Sequence, residues 1–505
     1  MSATSFPSKA RALLTLIGVA GLAACTVGPD YQKPQTASPA AWRVDPADAY
    51  WHAAQPAHAP LDPRWWAAFG NPELDGLEDA ALAENQTLRV AVAHYAQARA
   101  TLGSVSSQQA PQVSLGAGIA RERISANRPQ TTYVTPNMST VQNDIQVGPT
   151  ISYELDLFGR IRRMVESAQA SAQEAGDDLA NARLVLTAEL ATDYFAMREL
   201  DDEIDVVNRS IALQQKALDF VSAQHDLGAV SGLDLLQQKA QLDATKTQVH
   251  LLENQRQQDQ NAIAVLIGKP APEFVLAPKV TPLPTPALPT GLPSELLQRR
   301  PDVASAERAM AAANAQIGVA RSAYFPDLTL SPTLGWESTR FSNLFSVPSL
   351  MWSLGASAGE VLFDGGKRAA GVDYAQAGYE SAQASYRQTV LTAFQEVQNA
   401  VTGLSVLERA STDGQSAVDD ARQSFELAND RYQGGLVAFI DVLNAEQQLL
   451  ASERQEVQIH GQQAATVVYL AKALGGGWSA DDRALACSMG TCRETPAPGA
   501  AAGKG

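Results

Sequence analysis

Side chains that could carry out chemistry are sparse in this sequence. The six histidines, at positions 52, 58, 94, 225, 250 and 460, are scattered and show no metal-ligand spacing such as H-E-x-x-H. The acidic pairs Asp177-Asp178 and Asp201-Asp202 fall on predicted helix surfaces, where solvated carboxylates are ordinary. No nucleophile elbow or Cys/His signature is evident in the sequence. These residues therefore argue against an enzyme and against a metal site.

Two aspartates occupy equivalent places in a repeated unit. The segment Gly228-Ala-Val-Ser-Gly-Leu-Asp234 returns as Gly435-Leu-Val-Ala-Phe-Ile-Asp441, at an offset of 207 residues. The offset holds without a gap as far as Gly268 and Gly475. Further upstream the offset is 215, which relates Leu102-Gly103 to Ile317-Gly318 and Pro111 to Pro326. A duplication of this length sets the architecture of the chain.

The first cysteine follows a targeting segment. Lys9 and Arg11 precede a short apolar run, and Leu22-Ala-Ala-Cys25 comes after it. The run is too short to span a bilayer and fits a cleaved export signal. Leu-Ala-Ala-Cys resembles a bacterial lipobox, which implies a lipid on Cys25, although an ordinary signal peptide with an incidental cysteine is the alternative. Thr26 is not an Asp, and the resemblance therefore implies sorting to the outer membrane.

The other two cysteines lie near the C-terminus. Cys487 and Cys492 are separated by four residues, which in an exported protein predicts a short disulfide loop. A metal site would require further ligands nearby, and the sequence shows none. We expect no cofactor apart from the covalent lipid on Cys25.

The composition favours extended helices and excludes one class of partner. Aromatic residues make up only 6% of the chain, while Ala, Gln and Leu dominate long stretches. The net charge of -16 makes a nucleic acid an unsuitable partner, because phosphate binding needs clustered Lys and Arg.

Prolines mark the predicted domain boundaries. Seven lie between Pro29 and Pro63 and eight between Pro270 and Pro293, whereas residues 150–269 and 349–495 contain none. Apolar residues recur at spacings of three and four in the proline-free segments, which predicts long helices. The 66 residues from Arg160 to His225 would form a helix of roughly 100 Å, which suits a coiled hairpin.

The predicted organisation has six parts. It comprises a lipoprotein signal peptide (1–24), a lipidated extended arm (25–70), a first repeat (71–270), a Pro-rich linker (271–293), a second repeat (294–477) and a flexible tail (478–505). The first repeat contains a helix, a β-hairpin (112–157) and a long helical hairpin (160–266). The second contains a helix, a β-hairpin (327–363) and a long helical hairpin (366–474).

Each repeat carries two segments with a period of two residues. Apolar and small polar residues alternate over about ten residues from Val113, Ile145, Leu328 and Trp352. This alternation is typical of transmembrane β-strands, although a half-buried strand of a soluble sheet is the alternative for any one segment. Pro149 and Pro332 each remove a hydrogen-bond donor, and we expect a local irregularity or a strand end there.

Four strands cannot close a membrane barrel alone. An open edge in lipid leaves unpaired N–H and C=O groups, each costing several kcal/mol. Two chains would give an eight-stranded barrel filled by side chains, and three would give twelve strands and a lumen. Because the inward residues are mostly Gly, Ser, Thr and Ala, the sequence predicts a water-filled pore and a homotrimer.

Several segments together match one protein family. The chain resembles the TolC-like outer-membrane factors, in particular their lipoprotein branch, called NodT or OprM-like. The matching segments run from residue 25 to about 477; they are Cys25-Thr-Val-Gly-Pro-Asp-Tyr31, Trp65-Trp66-x-x-Phe69, Asn71-Pro72, Glu154-Leu-Asp-Leu-Phe158-Gly159-Arg160, Arg300-Pro301-Asp302-Val303, Pro326-Asp327-Leu328, Leu362-Phe363-Asp364-Gly365-Gly366 and the two hairpin tips.

The resemblance implies an α+β membrane protein that works as a trimeric efflux channel. A twelve-stranded β-barrel in outer-membrane lipid would continue into a long periplasmic α-helical coiled-coil barrel. A periplasmic adaptor (membrane fusion) protein and an inner-membrane pump of the resistance-nodulation-division (RND) type would complete the system. The implied docking sites for the adaptor are the two hairpin tips, formed by Leu227, Gly228, Ala229, Val230 and Ser231 and by Gly434, Gly435, Leu436 and Val437.

The resemblance also implies a periplasmic aperture beside the second tip. Tyr432, Asp441 and Asp234 match positions that close the aperture in well-known members. Val437 stands where those members have an Arg, and Asn444 stands where a second Asp is common. Three copies of Asp234 and Asp441 would ring the entrance with negative charge and attract cations. The alternative is that both aspartates only stabilise the positive ends of their helices.

Two alternatives to an efflux channel are compatible with the sequence. One is an exit duct for type I protein secretion, which is commoner among non-lipidated members of the family. The other is a purely structural coiled-coil lipoprotein, in which the four alternating segments would be soluble.

Overall fold

A computed structural model describes residues 26–34, 38–43, 61–127, 140–286, 288 and 299–478. These residues form seven α-helices and four β-strands, numbered here in chain order. The helices are α1 (Pro72–Glu84), α2 (Gln86–Ser106), α3 (Arg160–Asp226), α4 (Gly232–Leu266), α5 (Pro301–Ser322), α6 (Lys367–Gln433) and α7 (Phe439–Ala473). The strands are β1 (Gln112–Ile124), β2 (Thr140–Leu155), β3 (Asp327–Ser338) and β4 (Leu350–Gly359).

The chain divides into two compact units that are not the two sequence repeats. The sheet unit takes residues up to Pro34, Gln97–Glu174 and Glu307–Ser385. The helical unit takes Gln35–Ala96, Ala175–Ala306 and the chain from Tyr386 onwards. Each unit therefore contains segments from both repeats, because the strands of the repeats pair with one another and so do their helical hairpins.

The sheet unit has the four predicted strands in the order β1-β2-β3-β4, all antiparallel. Its register aligns the apolar residues of every strand, since Val113 faces Ile151, Val147 faces Trp336 and Leu334 faces Trp352. One face of the sheet is therefore apolar across all four strands. The exposed large members of this face are Val113, Leu115, Ile119, Val141, Leu334, Leu350, Trp352 and Leu354.

The opposite face of the sheet carries small and polar residues. Ser114 faces Thr150, Thr150 faces Thr333, and Thr333 faces Ser353, so one row of hydroxyl groups crosses all four strands. The hydroxyls of Thr333 and Ser353 are 2.6 Å apart and hydrogen-bonded. The alternation in the sequence thus corresponds to two chemically distinct faces.

The two prolines interrupt the sheet without ending its strands. Both lie inside strands, with Pro149 opposite Leu115 and Pro332 opposite Leu354. Between β2 and β3, pairing is present at Val147–Trp336, Thr150–Thr333 and Tyr153–Leu330, but not at either proline within these described strands. The local irregularity that the sequence predicted is present, and its cause is the missing N–H of each proline.

The aromatic residues that end the predicted arm are buried in the helical unit. Trp65–Phe69 form a 3-10 helix rather than an extended segment, and the rings of Trp65, Trp66 and Phe69 are buried. The Phe69 ring packs 4.7 Å from that of Phe195 on α3. The difference from the extended arm predicted for 25–70 arises because three large aromatic side chains within five residues can be buried together only if the backbone turns.

Buried arginines hold the segment that follows α4. The guanidinium of Arg198 contacts Glu73 at 2.7 Å and Asp201 at 2.6 Å. The guanidinium of Arg256 contacts Asp201 and also donates to the carbonyl of Leu276. The charges of Arg198, Arg256 and Asp201 are therefore paired, as their removal from water requires. Asp201 is thus buried in an ion pair and does not lie on the solvated helix surface that the sequence predicted. None of the described helices combines the length and apolar content that crossing a bilayer requires.

Candidate functional site

The first candidate tip connects α3 to α4 through a tight turn. The N–H of Ala229 donates to the carbonyl of Gln224 (2.9 Å), and that of Gly228 donates to His225 (2.8 Å). This pair of bonds is a Schellman helix end, which needs a residue with positive φ, and Gly228 has φ 72°. Leu227 is 82% exposed at this end. The tip therefore presents a large apolar side chain on a rigid turn.

Ser231 and Asp234 form a reciprocal cap at the start of α4. The Ser231 hydroxyl accepts from the N–H of Asp234 at 3.3 Å, and the Asp234 carboxylate accepts from the N–H of Ser231 at 3.1 Å. The Ser231 hydroxyl also donates to the same carboxylate at 2.9 Å. Two helix-end donors are satisfied in this way. Asp234 thus has a structural role at its helix end in addition to the predicted one at the aperture.

The second candidate tip has the same turn with a weaker cap. Leu436 donates to the carbonyl of Arg431 and Gly435 donates to that of Tyr432, both at 2.9 Å, and Gly435 has φ 69°. The Asp441 carboxylate accepts from the N–H of Ala438 at 3.1 Å. Ala438 stands where the first tip has Ser231 and has no side-chain oxygen to return the bond. Half of the reciprocal cap is therefore missing at α7.

The two tips pack against each other through an apolar cluster. Val221, Phe439 and Leu443 are buried together, and partly buried side chains from both tips surround them; these are Val230, Leu235 and Tyr432. The rings of Tyr432 and Phe439 are 5.2 Å apart. The helical hairpins of the two repeats are thus joined at their ends by close packing.

The predicted aperture residues are only partly brought together. Tyr432 lies in the cluster between the tips, and burial, followed by the negative charge of Asp234, raises the pKa of its hydroxyl above the ordinary value. Asp441 and Asn444 are exposed on the first turns of α7, and Val437 is half-buried. Among these described side chains, no hydrogen bond joins Tyr432 to Asp234 or Asp441. Within one subunit the cluster is held by apolar packing.

A buried polar layer lies two turns into α7, and the sequence did not reveal it. Glu446 on α7, Gln214 on α3 and Gln238 on α4 are all buried. Gln238 donates to the backbone carbonyl of Gln214 at 2.9 Å, and the Gln214 side chain faces the Glu446 carboxyl. One oxygen of each of the three side chains lacks a hydrogen-bond partner. The layer therefore holds more acceptors than donors.

Burial raises the pKa of Glu446 to about 7, and Gln214 offsets part of the shift. A protonated carboxyl can donate as well as accept, and one added proton would satisfy an acceptor in this layer. The apolar cluster that includes Leu443 lies on one side of Glu446 along α7, and a cluster that includes Leu450 lies on the other. The helical contact between the two hairpins is therefore interrupted by one titratable group.

In the sheet unit, the first described residues lie against the junction of β2 and α3. The N–H of Val27 donates to the carbonyl of Phe158 at 3.0 Å, and the buried Arg163 guanidinium contacts Asp30 at 2.8 Å. A side chain at Gly159, whose φ is 84°, would collide with Thr26. The segment that follows Cys25 is thus held next to the end of a strand.

Some predicted sites lie outside the described residues. These are the lipidation site Cys25 and the candidate disulfide Cys487–Cys492. Across the described ranges, no three His, Cys, Asp or Glu side chains are grouped where they could hold a metal ion.

The chain matches one family model over most of its length. The model described as outer membrane efflux protein matches residues 77–269 and 292–476. The chain belongs to the outer membrane efflux protein family. It is therefore an outer-membrane efflux channel, and not an enzyme, and the predicted TolC-like resemblance is confirmed.

Similar proteins of this family align over nearly the whole chain. The toluene efflux pump outer membrane protein TtgF of Pseudomonas putida is 30% identical over 462 residues, covering 90% of this chain and 95% of its own. The pyoverdine export outer membrane protein OpmQ of Pseudomonas aeruginosa is 31% identical, covering 92% and 96%. The solved outer-membrane channel OprN is 32% identical, with a TM-score of 0.82 over 90% of this chain and 100% of its own.

Proposed function

We propose that three copies of this chain close one barrel and form a passive exit duct for small molecules. The observation that carries this proposal is the register of the sheet, which aligns one apolar and one polar face across four strands. β1 and β4 are at the ends of the strand order, so each has an edge available to another copy. Three copies give twelve strands, enough to leave a polar lumen.

A lipid on Cys25 would anchor each copy beside the barrel. Leu22-Ala-Ala-Cys25 supports this modification, and so does the position of Thr26 against Gly159. Gly159 lies close to the end of β2, and Thr26 lies against it. An acyl chain on Cys25, the residue before Thr26, could therefore enter the membrane that the apolar face of the sheet requires. We propose no other prosthetic group.

The two hairpin tips would bind a periplasmic adaptor, which connects the duct to an inner-membrane pump of the RND type. Leu227 and Leu436 support this role, because each is a large exposed side chain on a turn that its glycine holds in one conformation. Exposed apolar side chains on a rigid turn suit a protein partner.

The exported molecules would be drugs and other small organic compounds. The relatives support this class, since one is named for toluene efflux and another for pyoverdine export. Neither name refers to a secreted protein, and nothing favours the type I secretion alternative. The small polar side chains of the inner face suit passage without strong binding, which leaves the choice of substrate to the pump.

Deletion of the gene provides the test. We expect a deletion strain to become at least severalfold more susceptible to some members of a panel of solvents, dyes and antibiotics, with recovery on complementation. Purified protein should be a trimer by native mass spectrometry and should conduct ions in planar bilayers. A lone subunit that passes no ions in lipid would refute the proposal.

Replacing Asp441 should loosen the candidate aperture. Asp441→Ala removes a negative charge and the bond to the Ala438 N–H, a helix-end contribution of about 1 kcal/mol. We expect a larger single-channel conductance or a weaker preference for cations in planar bilayers. Asp430→Ala, which removes an exposed carboxylate from the last turn of α6, is the matched control. Unchanged currents and selectivity in Asp441→Ala would exclude a gating role.

A further inference from the structure

The segment after β4 exposes three consecutive apolar residues. Val361 is 57% exposed, and Leu362 and Phe363 are 90% and 89% exposed. The segment lies between the end of β4 at Gly359 and the start of α6 at Lys367. An apolar run of this kind needs a covering surface.

The first repeat shows how the equivalent segment is covered. Similar sequences follow the last strand of each repeat. The sequence after β2 is Leu157-Phe158-Gly159, and the sequence after β4 is Leu362-Phe363-Asp364-Gly365, in which Asp364 is the additional residue. The Phe158 ring stacks on the ring of Phe325, with centroids 4.7 Å apart and an interplanar angle of 25°. Phe325 lies two residues before β3, which is the strand paired with β2. The phenylalanine after one strand thus packs on the residue that precedes the neighbouring strand.

The repeat identifies the corresponding partner for Phe363. At the offset of 215, Phe325-Pro326 corresponds to Ala110-Pro111, which precedes β1. Both Ala110 and Pro111 are exposed. Within one chain, β1 is three strands away from β4 in the sheet, a separation of about 14 Å at ordinary strand spacing. Phe363 therefore cannot reach Ala110 of its own chain in the way that Phe158 reaches Phe325.

We infer that Phe363 of one copy packs on Ala110 and Pro111 of the neighbouring copy. This inference rests on the proposed trimer, in which β4 of each copy lies beside β1 of the next. Ala110 is small where Phe325 is large, which leaves space for an aromatic ring over the Ala-Pro surface. Each subunit boundary would then repeat the junction that exists inside each chain, so that the β4–β1 junction between copies would be equivalent to the β2–β3 junction within a copy.

Polar neighbours favour a protein surface over lipid as the covering partner. Glu360 and Asp364 flank the tripeptide, and Asp364 caps α6 by accepting from the N–H groups of Gly366 and Arg368, both at 3.0 Å. A carboxylate held in this way is costly to place in hydrocarbon. The segment is therefore positioned at the edge of the apolar band, where a second subunit can cover it.

Disulfide trapping tests the inference. In a Cys487→Ser/Cys492→Ser background, the pair Ala110→Cys/Phe363→Cys should cross-link chains into dimers and trimers under mild oxidation, seen on non-reducing gels. Phe158→Cys/Phe325→Cys calibrates the geometry, because its two positions are in contact within one chain and should close without joining chains. Ala110→Cys/Phe158→Cys is the negative control and should give no dimers or trimers.

The outcomes separate this inference from the proposed function. Interchain products specific to the 110–363 pair support it. A trimer that conducts ions but gives no such products, while the 158–325 pair closes, overturns the inference and leaves the proposed function intact. A protein that is monomeric in lipid overturns both.

Phe363→Leu provides a second measurement. The loss of the aromatic ring should lower the temperature at which purified trimers dissociate. Phe341→Leu is the control and should not change that temperature, because Phe341 is an exposed residue between β3 and β4.

Discussion

Leu354→Arg is expected to remove the protein from the outer membrane. Leu354 lies in the middle of β4 on the apolar face, opposite Pro332 and next to Trp352 in the same row of side chains. An arginine on the lipid face of a membrane strand costs about 2–4 kcal/mol near the bilayer midplane. A trimer would carry this cost three times, and the summed free energy is comparable to the whole free energy of unfolding of an ordinary folded domain. We expect at least a tenfold loss of inserted protein, measured by immunoblotting of outer-membrane fractions.

Ser353→Arg is the matched control for this substitution. Ser353 is the adjacent residue at the same depth, but its side chain is on the polar face beside Thr333. An arginine there would face water in the lumen, so insertion should be preserved and ion selectivity should shift toward anions. If Leu354→Arg and Ser353→Arg reduced the amount of inserted protein equally, lipid would not contact one face of the sheet in preference to the other. The assignment of the apolar face to the lipid side would then be wrong.

Glu446→Gln should remove one contribution to the pH dependence of stability in the helical unit, where other buried carboxyls, among them those of Glu78 and Glu199, also have raised pKa values. Burial raises the pKa of Glu446 from 4.5 to about 7 in the folded chain. The folded state therefore binds this proton more tightly than the unfolded state. The stabilising contribution is fully present below about pH 4.5 and is lost as the pH rises through about 7, which amounts to about 3 kcal/mol.

Gln at this position keeps the shape of the side chain and cannot ionise. At pH 8 we expect the variant to unfold at a higher temperature than the parent protein, whereas at pH 4.5 the two should differ little. Differential scanning calorimetry in detergent across this range measures the effect. Glu426→Gln, an exposed carboxylate on α6, is the control and should leave the profile unchanged. A parallel shift of Glu446→Gln at all pH values would show that ionisation of Glu446 has no part in stability.

The sheet was largely predictable because its signal is local. Alternation from Val113 to Ile119 and its counterparts fixes which residues share a face, and a slip of one residue would exchange the two faces. The prolines at 149 and 332 also act locally, through the N–H that each lacks. By contrast, the association of strands from one repeat with those of the other depends on contacts between distant segments, and no local pattern indicates it.

The site near the tips was predictable in part. Ser231 three residues before Asp234 is a readable capping signal, and the turn glycines predict the ends of α3 and α6. Glu446 could not be identified in the same way. It lies in a helix rich in Gln and Glu, where the sequence does not distinguish a buried position from an exposed one. Its burial follows from the packing of α7 against α3 and α4, which only the folded chain shows.

The unequal caps at the two tips have a consequence for stoichiometry. The residue that caps the returning helix is Ser231 in the first hairpin and Ala438 in the second. The helix itself begins with Gly232 in the first hairpin and with the buried Phe439 in the second. A closed ring of three copies would therefore present six similar ends of two alternating kinds, with threefold and not sixfold symmetry. A partner that distinguishes the two kinds would bind three molecules per ring, and one that tolerates both would bind six.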